Sequence, residues 1–201
     1  MKKCLLIFVL FFATFSFGFG REGTSEFEFF AGSHLGDTFI IHTNNNFYEE
    51  KELNDSFMLG MRGSYFFEEH FAIEFTLAGT QSETTDGDSF DLYYYHGNFI
   101  FQFGEGAFSP FFTIGIGATT FRYPSYTFDF EKHIVSDTKF SWNWGGGFKI
   151  YFSDSFALRT DIRAYFTNLN KNDNCWDNDD CWRWEEELVT TEFSFGFVFK
   201  F

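Results

Sequence analysis

The chain is poor in basic residues, prolines and cysteines, and beyond its first twelve residues it has no long apolar run. Only 14 Lys and Arg stand against 29 Asp and Glu, and a polyanion has no attraction for the phosphates of nucleic acid. No later stretch approaches the roughly 18 consecutive apolar residues that a helical membrane span needs, so transmembrane helices are excluded. Two prolines in 201 residues leave little to interrupt strands, and no Pro-, Gly- or Ser-rich linker divides the chain. One domain is expected. The three cysteines are Cys4, close to the N-terminus, and Cys175 and Cys181 in a polar stretch near the other end.

The N-terminus carries Lys2 and Lys3, then an unbroken apolar run from Leu5 to Phe12, then the small residues Gly18 and Gly20. That order is a secretory signal, too short in its apolar core to span a bilayer, and cleavage is expected after Gly20. Residues 1–20 are therefore read as signal peptide and 21–201 as the mature domain. Its 12 basic and 29 acidic residues give a charge of −17. Cys4 leaves with the signal, and it precedes the apolar run instead of following it, so it is not a lipoprotein cysteine. Export to an oxidising compartment makes Cys175–Cys181 a local disulfide, with a pair of free thiols as the alternative.

What the sequence has in excess is aromatic: 25% of the chain, with 36 phenylalanines. Aromatic and β-branched side chains suit a pleated surface. In the last segment Val189, Thr191, Phe193, Phe195, Phe197, Phe199 and Phe201 alternate with Thr190, Glu192, Ser194, Gly196, Val198 and Lys200. Period two means one apolar face and one polar or small face. Phe156, Leu158, Ile162, Ala164 and Phe166 likewise oppose Arg159, Asp161, Arg163 and Tyr165. Six more alternating segments fall near 25–34, 55–67, 71–81, 90–103, 110–122 and 139–152, which makes about eight strands and an all-β chain.

Tight turns near Glu68–His70, Gly104–Ser109 and Ser153–Ser155 alternate with long polar loops at about 35–54, 82–89, 123–138 and 169–186. Short turns at one end and long loops at the other mark an antiparallel, up-and-down transmembrane β-barrel. With an even strand number both chain ends lie at the short-turn end. A soluble barrel would turn its bulky apolar face inward, but the lumen of eight strands has little room. Gly60, Ser64, Ala72, Thr76, Gly115, Gly117, Gly145, Gly147, Ser194 and Gly196 are therefore expected inside and the Phe-rich face against lipid.

The segments Gly60-Met-Arg-Gly-Ser-Tyr-Phe-Phe67 with Phe71-Ala-Ile-Glu-Phe75, and Phe140-Ser-Trp-Asn-Trp-Gly-Gly-Gly147 with Phe156-Ala-Leu-Arg-Thr-Asp-Ile-Arg163, resemble the OmpA-like outer-membrane β-barrel family. The likeness covers nearly the whole mature chain. It implies a bacterial outer-membrane location, lipid and lipopolysaccharide as surroundings, and an assembly signal at the aromatic terminus, Phe201. The short-turn end would then be periplasmic. The peptidoglycan-binding domain of some relatives is not expected. Members of that family include adhesins, membrane stabilisers and narrow pores, so the resemblance alone does not choose a role.

The same parity puts the cations Arg62, Lys149, Arg159 and Arg163 and the anions Glu28, Glu74, Asp161 and Glu192 in the lumen. Charges so enclosed must be paired or hydrated. Pairing across the turn near Glu68 is expected to set Arg62 beside Glu74, and Lys149 and Arg159 near Asp161. A balanced cluster reads as a polar plug; an ion-selective wall would carry one sign in excess, and a narrow pore is the alternative. The histidines are scattered: His34 and His96 toward the outer end of the lumen, His42 and His133 in loops, His70 in a turn. No lipid A-modifying motif surrounds Ser33, Ser89 or Ser141, so no enzyme and no cofactor are expected.

In the last loop Asp173, Asp177, Asp179 and Asp180 surround Cys175 and Cys181. Oxygen ligands of this kind suit hard cations, but the glycine and terminal glutamate of an EF-hand are missing, and a solvated acidic loop is preferred to a cation site. Tyr93 and Tyr95 read as an interfacial girdle. Trp176, Trp182 and Trp184 lie beside the loop, and Trp176 could face a ligand. Expected partners are lipid, lipopolysaccharide, the assembly machinery and an extracellular ligand held by the loops.

Overall fold

A computed structural model describes residues 22–36, 38–43, 47–52, 54–83, 89–103, 107–126, 132–169, 183–184 and 187–201. The barrel strands are β1 (Ser25–Leu35), β4 (Ser56–Phe66), β5 (Phe71–Glu83), β6 (Ser89–Gln102), β7 (Phe108–Tyr126), β8 (Lys132–Ser153), β9 (Phe156–Asn168) and β11 (Glu187–Lys200). They close in the order β1-β11-β9-β8-β7-β6-β5-β4, every pairing antiparallel. The eight expected membrane strands are thus all present, with the expected parity.

Two loop readings are corrected. The 35–54 and 169–186 stretches hold β2 (Thr38–Thr43), β3 (Phe47–Glu52) and β10 (Arg183–Trp184), which form a separate sheet in the order β10-β2-β3. Residues 123–126 and 132–138 of the 123–138 stretch are strand: β7 and β8 hold one register from Phe108↔Ile150 to Tyr126↔Lys132. Polarity in these segments signalled water on both faces, which is compatible with a two-stranded ribbon as well as with a loop.

The two prolines explain themselves on this frame. Tyr151 N–H donates to the Ala107 carbonyl (2.8 Å) and Phe103 N–H to the Pro110 carbonyl (2.7 Å), so odd residues of β7 bond to β8 and even residues to β6. The β6 ladder runs from Phe111↔Gln102 to Arg122↔Asp91. Pro110 and Pro124 lie on the β6 side just beyond its two ends, where no N–H is needed.

Inside and outside are inverted relative to a water-soluble protein. Arg62, Arg159, Arg163 and Lys149 are completely enclosed, whereas Phe195 is 71% exposed, Ile116 66% and Phe57 64%. Only an apolar surrounding makes that arrangement stable. At the short-turn end the seam is tied by the chain termini: Ser25 and Phe201 exchange N–H to carbonyl bonds of 2.9 and 3.0 Å, and Gly23 N–H donates to Phe66 O at 2.7 Å.

Candidate functional site: a charged and layered lumen

Alternate residues of each strand project into a space too narrow for eight rows of large side chains, so long residues face short ones. On β9 the inward row is Ala157, Arg159, Asp161, Arg163, Tyr165 and Thr167. Gly115, Gly117, Gly145 and Gly147 leave space on β7 and β8. A Cβ on Gly145 would lie 2.8 Å from Arg163 Cγ, and one on Gly147 only 1.8 Å from the Thr160 carbonyl oxygen. Gly145 thus leaves room for the Arg163 side chain, and Gly147 lets the β9 backbone come close.

Glu74 on β5 is the centre of the network, diametrically opposite β9 in the strand order. It accepts from Arg159 Nη1 at 2.6 Å and Arg163 Nη2 at 2.8 Å, with Ser64, Asn98 and Thr76 at 3.2, 3.3 and 3.4 Å. Asp161 accepts from Arg159 at 2.7 Å and from Arg163 at 2.9 Å. Arg62 pairs with Glu28 at 3.0 Å, with Glu192, and more distantly with Asp161 at 3.8 Å. Tyr165 donates its hydroxyl to Glu192 at 2.6 Å.

Two pairings differ from the sequence expectation. Arg62 does not bond Glu74: the register sets Arg62 against Thr76 and Ser64 against Glu74, and the guanidinium turns toward the β1–β11 seam. Lys149 does not meet Asp161 but pairs with Glu26, which also accepts from the Tyr151 hydroxyl at 2.6 Å. Arg159 does lie beside Asp161. Glu26 was overlooked by sequence reasoning although it shares the even parity of Glu28, the signal that would have found it. With it the lumen holds, among the described residues, five carboxylates and four cations.

Apolar layers bound this cluster on both sides. Toward the long-loop end Phe30, Met58, Ala78, Leu92, Tyr94, Phe121, Tyr165, Leu169 and Leu188 pack together; toward the short-turn end the layer is Phe66, Ala72, Ile100 and Phe111. Period two foresaw Tyr165 on the inward face but not the other large inward aromatics, such as Phe30, Phe66 and Phe111. They cover the cations: Arg62 lies 3.7 Å from the Phe30 ring centroid and Arg159 4.3 Å from that of Phe111, contacts that favour a desolvated guanidinium.

Between the charges and the long-loop end lies a neutral polar belt. His34 and Tyr94 bond at 2.7 Å, and Tyr94 meets Thr190 at 3.1 Å. Ser141 contacts His96 Nε2 at 2.9 Å and takes a hydrogen bond from Thr119 at 3.0 Å. Ser141 and His96 are 45 residues apart and both completely buried. Among the described residues no carboxylate bonds His96 Nδ1, so the orienting group of a catalytic triad is missing there.

On the outer wall, an apolar groove of about 690 Å³ lies between Phe27, Met61, Tyr65, Ile73, Phe75 and Phe99, where Gly63 and Gly97 carry no side chain. Tyr93 and Tyr95 point outward on β6, and Trp142 stacks on Phe166 at 4.2 Å and donates to Glu187 at 3.1 Å. Cys175, Cys181, Asp173, Asp177, Asp179, Asp180, Trp176 and Trp182, like the signal segment 1–20, lie outside the described residues. Trp184 is in β10, opposite Ile41 of β2.

The family model described as outer membrane protein beta-barrel domain matches residues 10–201. Among solved structures, neisserial surface protein A is similar at 11% identity over 90% of this chain and 98% of its own, with a TM-score of 0.60. OprG from Pseudomonas aeruginosa is similar at 11% identity over 90% and 97%, also with a TM-score of 0.60. Ail, the attachment invasion locus protein of Yersinia pestis, is similar at 15% identity over 90% and 99%, with a TM-score of 0.51. At these identities the likeness is one of fold. No curated protein sequence matches the chain.

Proposed function

This chain belongs to the outer-membrane β-barrel domain family, and from that premise we propose that it is a closed membrane anchor that presents acidic extracellular loops for surface interaction or envelope integrity. The observation that carries this reading is the lumen, where among the described residues nine side chains are ion-paired between two apolar layers. A conducting wall would need hydrated charges along a continuous path. Here the charged groups bond one another instead.

In this reading the signal is removed after Gly20 and the short-turn end faces the periplasm. Phe201 serves as the recognition element for the assembly machinery, and lipid with lipopolysaccharide surrounds the Phe-rich wall. The 169–186 segment, with Asp173, Asp177, Asp179, Asp180, Glu185 and Glu186 against Lys171 and Arg183, is the main acidic display. Cys175 and Cys181 brace it as a disulfide, and it stays solvated in preference to holding a cation. One of the similar folds is named for attachment and invasion, in keeping with a surface role for the loops.

Single-channel recording in planar bilayers tests the closed lumen. Purified protein should insert without steady openings. Regular large conductance steps would replace the anchor reading with a pore.

A further inference from the structure

The interior ion pairs have an order that pairing alone does not require. Divided in chain order, the barrel has an N-terminal half (β1, β4, β5, β6) and a C-terminal half (β7, β8, β9, β11). Among the described residues the lumen holds nine ion pairs, and six of them join the two halves: Arg62 with Glu192 and Asp161, Lys149 with Glu26, Arg159 with Glu28 and Glu74, and Arg163 with Glu74. The partners are 85 to 131 residues apart. The inward charges of the halves are also opposite in sign. Glu26, Glu28, Arg62 and Glu74 total −2, and Lys149, Arg159, Asp161, Arg163 and Glu192 total +1.

Each strand pairing of the barrel except one joins barrel strands that follow one another along the chain. The exception is β1 with β11, which brings Glu26 opposite Lys200 and carries the largest loop-closure entropy. In an open sheet the lumen charges are hydrated. When the sheet curls they lose water, and any left unpaired is strongly unfavourable. A slip of the seam by two residues would keep every side chain on its proper face. It would also move Glu192 away from Arg62 and Glu28 away from Arg159, pairs that the native seam now joins. Parity cannot reject that slip, whereas the ion pairs can.

We propose that the lumen network is a closure latch. Its cross-lumen pairs form only when β1 meets β11 in the native register, and they select that register over slipped or open forms. The latch acts in barrel closure, whatever the outer loops bind.

The test is refolding of the full mature chain into lipid vesicles with two readouts: strand formation by far-UV circular dichroism, and closure by the compact, SDS-resistant band on unheated gels. Arg62→Met and Glu192→Gln should each slow closure about tenfold while strand formation keeps its rate, and the double variant should be slowed less than the product of the two. Ser141→Ala, which loses buried neutral hydrogen bonds to Thr119 and His96 but no ion pair, should leave closure unchanged. For the wild type, salt at about 1 M, where charges are screened beyond about 3 Å, should slow closure selectively. That series decides the matter if the single variants do not fold. Parallel slowing of both readouts, or wild-type closure indifferent to salt, would overturn the latch.

Discussion

Two walls of one lumen are built on opposite plans. The β9 wall projects Arg159, Asp161, Arg163 and Tyr165, while the adjoining β8–β7 wall offers Gly115, Gly117, Gly145 and Gly147 beside Thr113 and Asn143. Neither plan works without the other. Long charged side chains need space over the neighbouring strands, and an empty wall would leave a void, so the small residues of β7 and β8 and the long ones of β9 depend on each other.

The largest effect should come from filling the empty wall. Gly147→Val places a side chain where a Cβ already meets the Thr160 carbonyl at 1.8 Å, and backbone cannot yield as a flexible side chain can. The variant is expected to lose the SDS-resistant band altogether; a normal band would mean that the two walls are not mutually dependent.

A smaller loss should follow from removing one charge from the full wall's network. Glu74→Gln leaves Arg159 and Arg163 without their shared carboxylate across the lumen, and breaking a buried pair in this way costs about 3–5 kcal/mol. Urea titration in vesicles should report that loss. A change below about 1 kcal/mol, the scale of exposed ion pairs, would mean that water reaches the cluster.

Smaller again is a charge placed on the lipid side of the same sheet. Phe195→Arg, mid-strand on β11 and outward, should cost about 2–4 kcal/mol near the bilayer centre and less toward the interfaces. The same titration checks it. If Phe195→Arg were neutral, the exposed phenylalanines would not be meeting hydrocarbon.

Much of this architecture is legible in the chain. Phe193 to Phe199 alternating with Glu192, Ser194 and Gly196 is enough to name a strand, its two faces and the medium each meets, because the side-chain period of a strand is two wherever the strand lies. The same rule placed Arg62, Glu74, Lys149, Arg159, Asp161, Arg163 and Glu192 inside, and would have placed Glu26 there. It failed where polarity was taken for irregularity, as in Thr38–Thr43 and Tyr123–Tyr126. It also failed to anticipate inward aromatics such as Phe30 and Phe111, which fill space above and below the charges.

The sequence by itself determined the all-β class, the eight spanning strands and which side of each one carries charge, since these depend on local alternation and on turn spacing. Only the tertiary structure decided who pairs with whom. Adjacent-strand reasoning joined Arg62 to Glu74 and Lys149 to Asp161. In the closed barrel Arg62 turns to Glu28 and Glu192, Lys149 to Glu26, and Glu74 to the β9 arginines on the far wall. Long side chains in a curled sheet reach across the lumen, and which strand faces which is set by closure between residues at opposite ends of the chain.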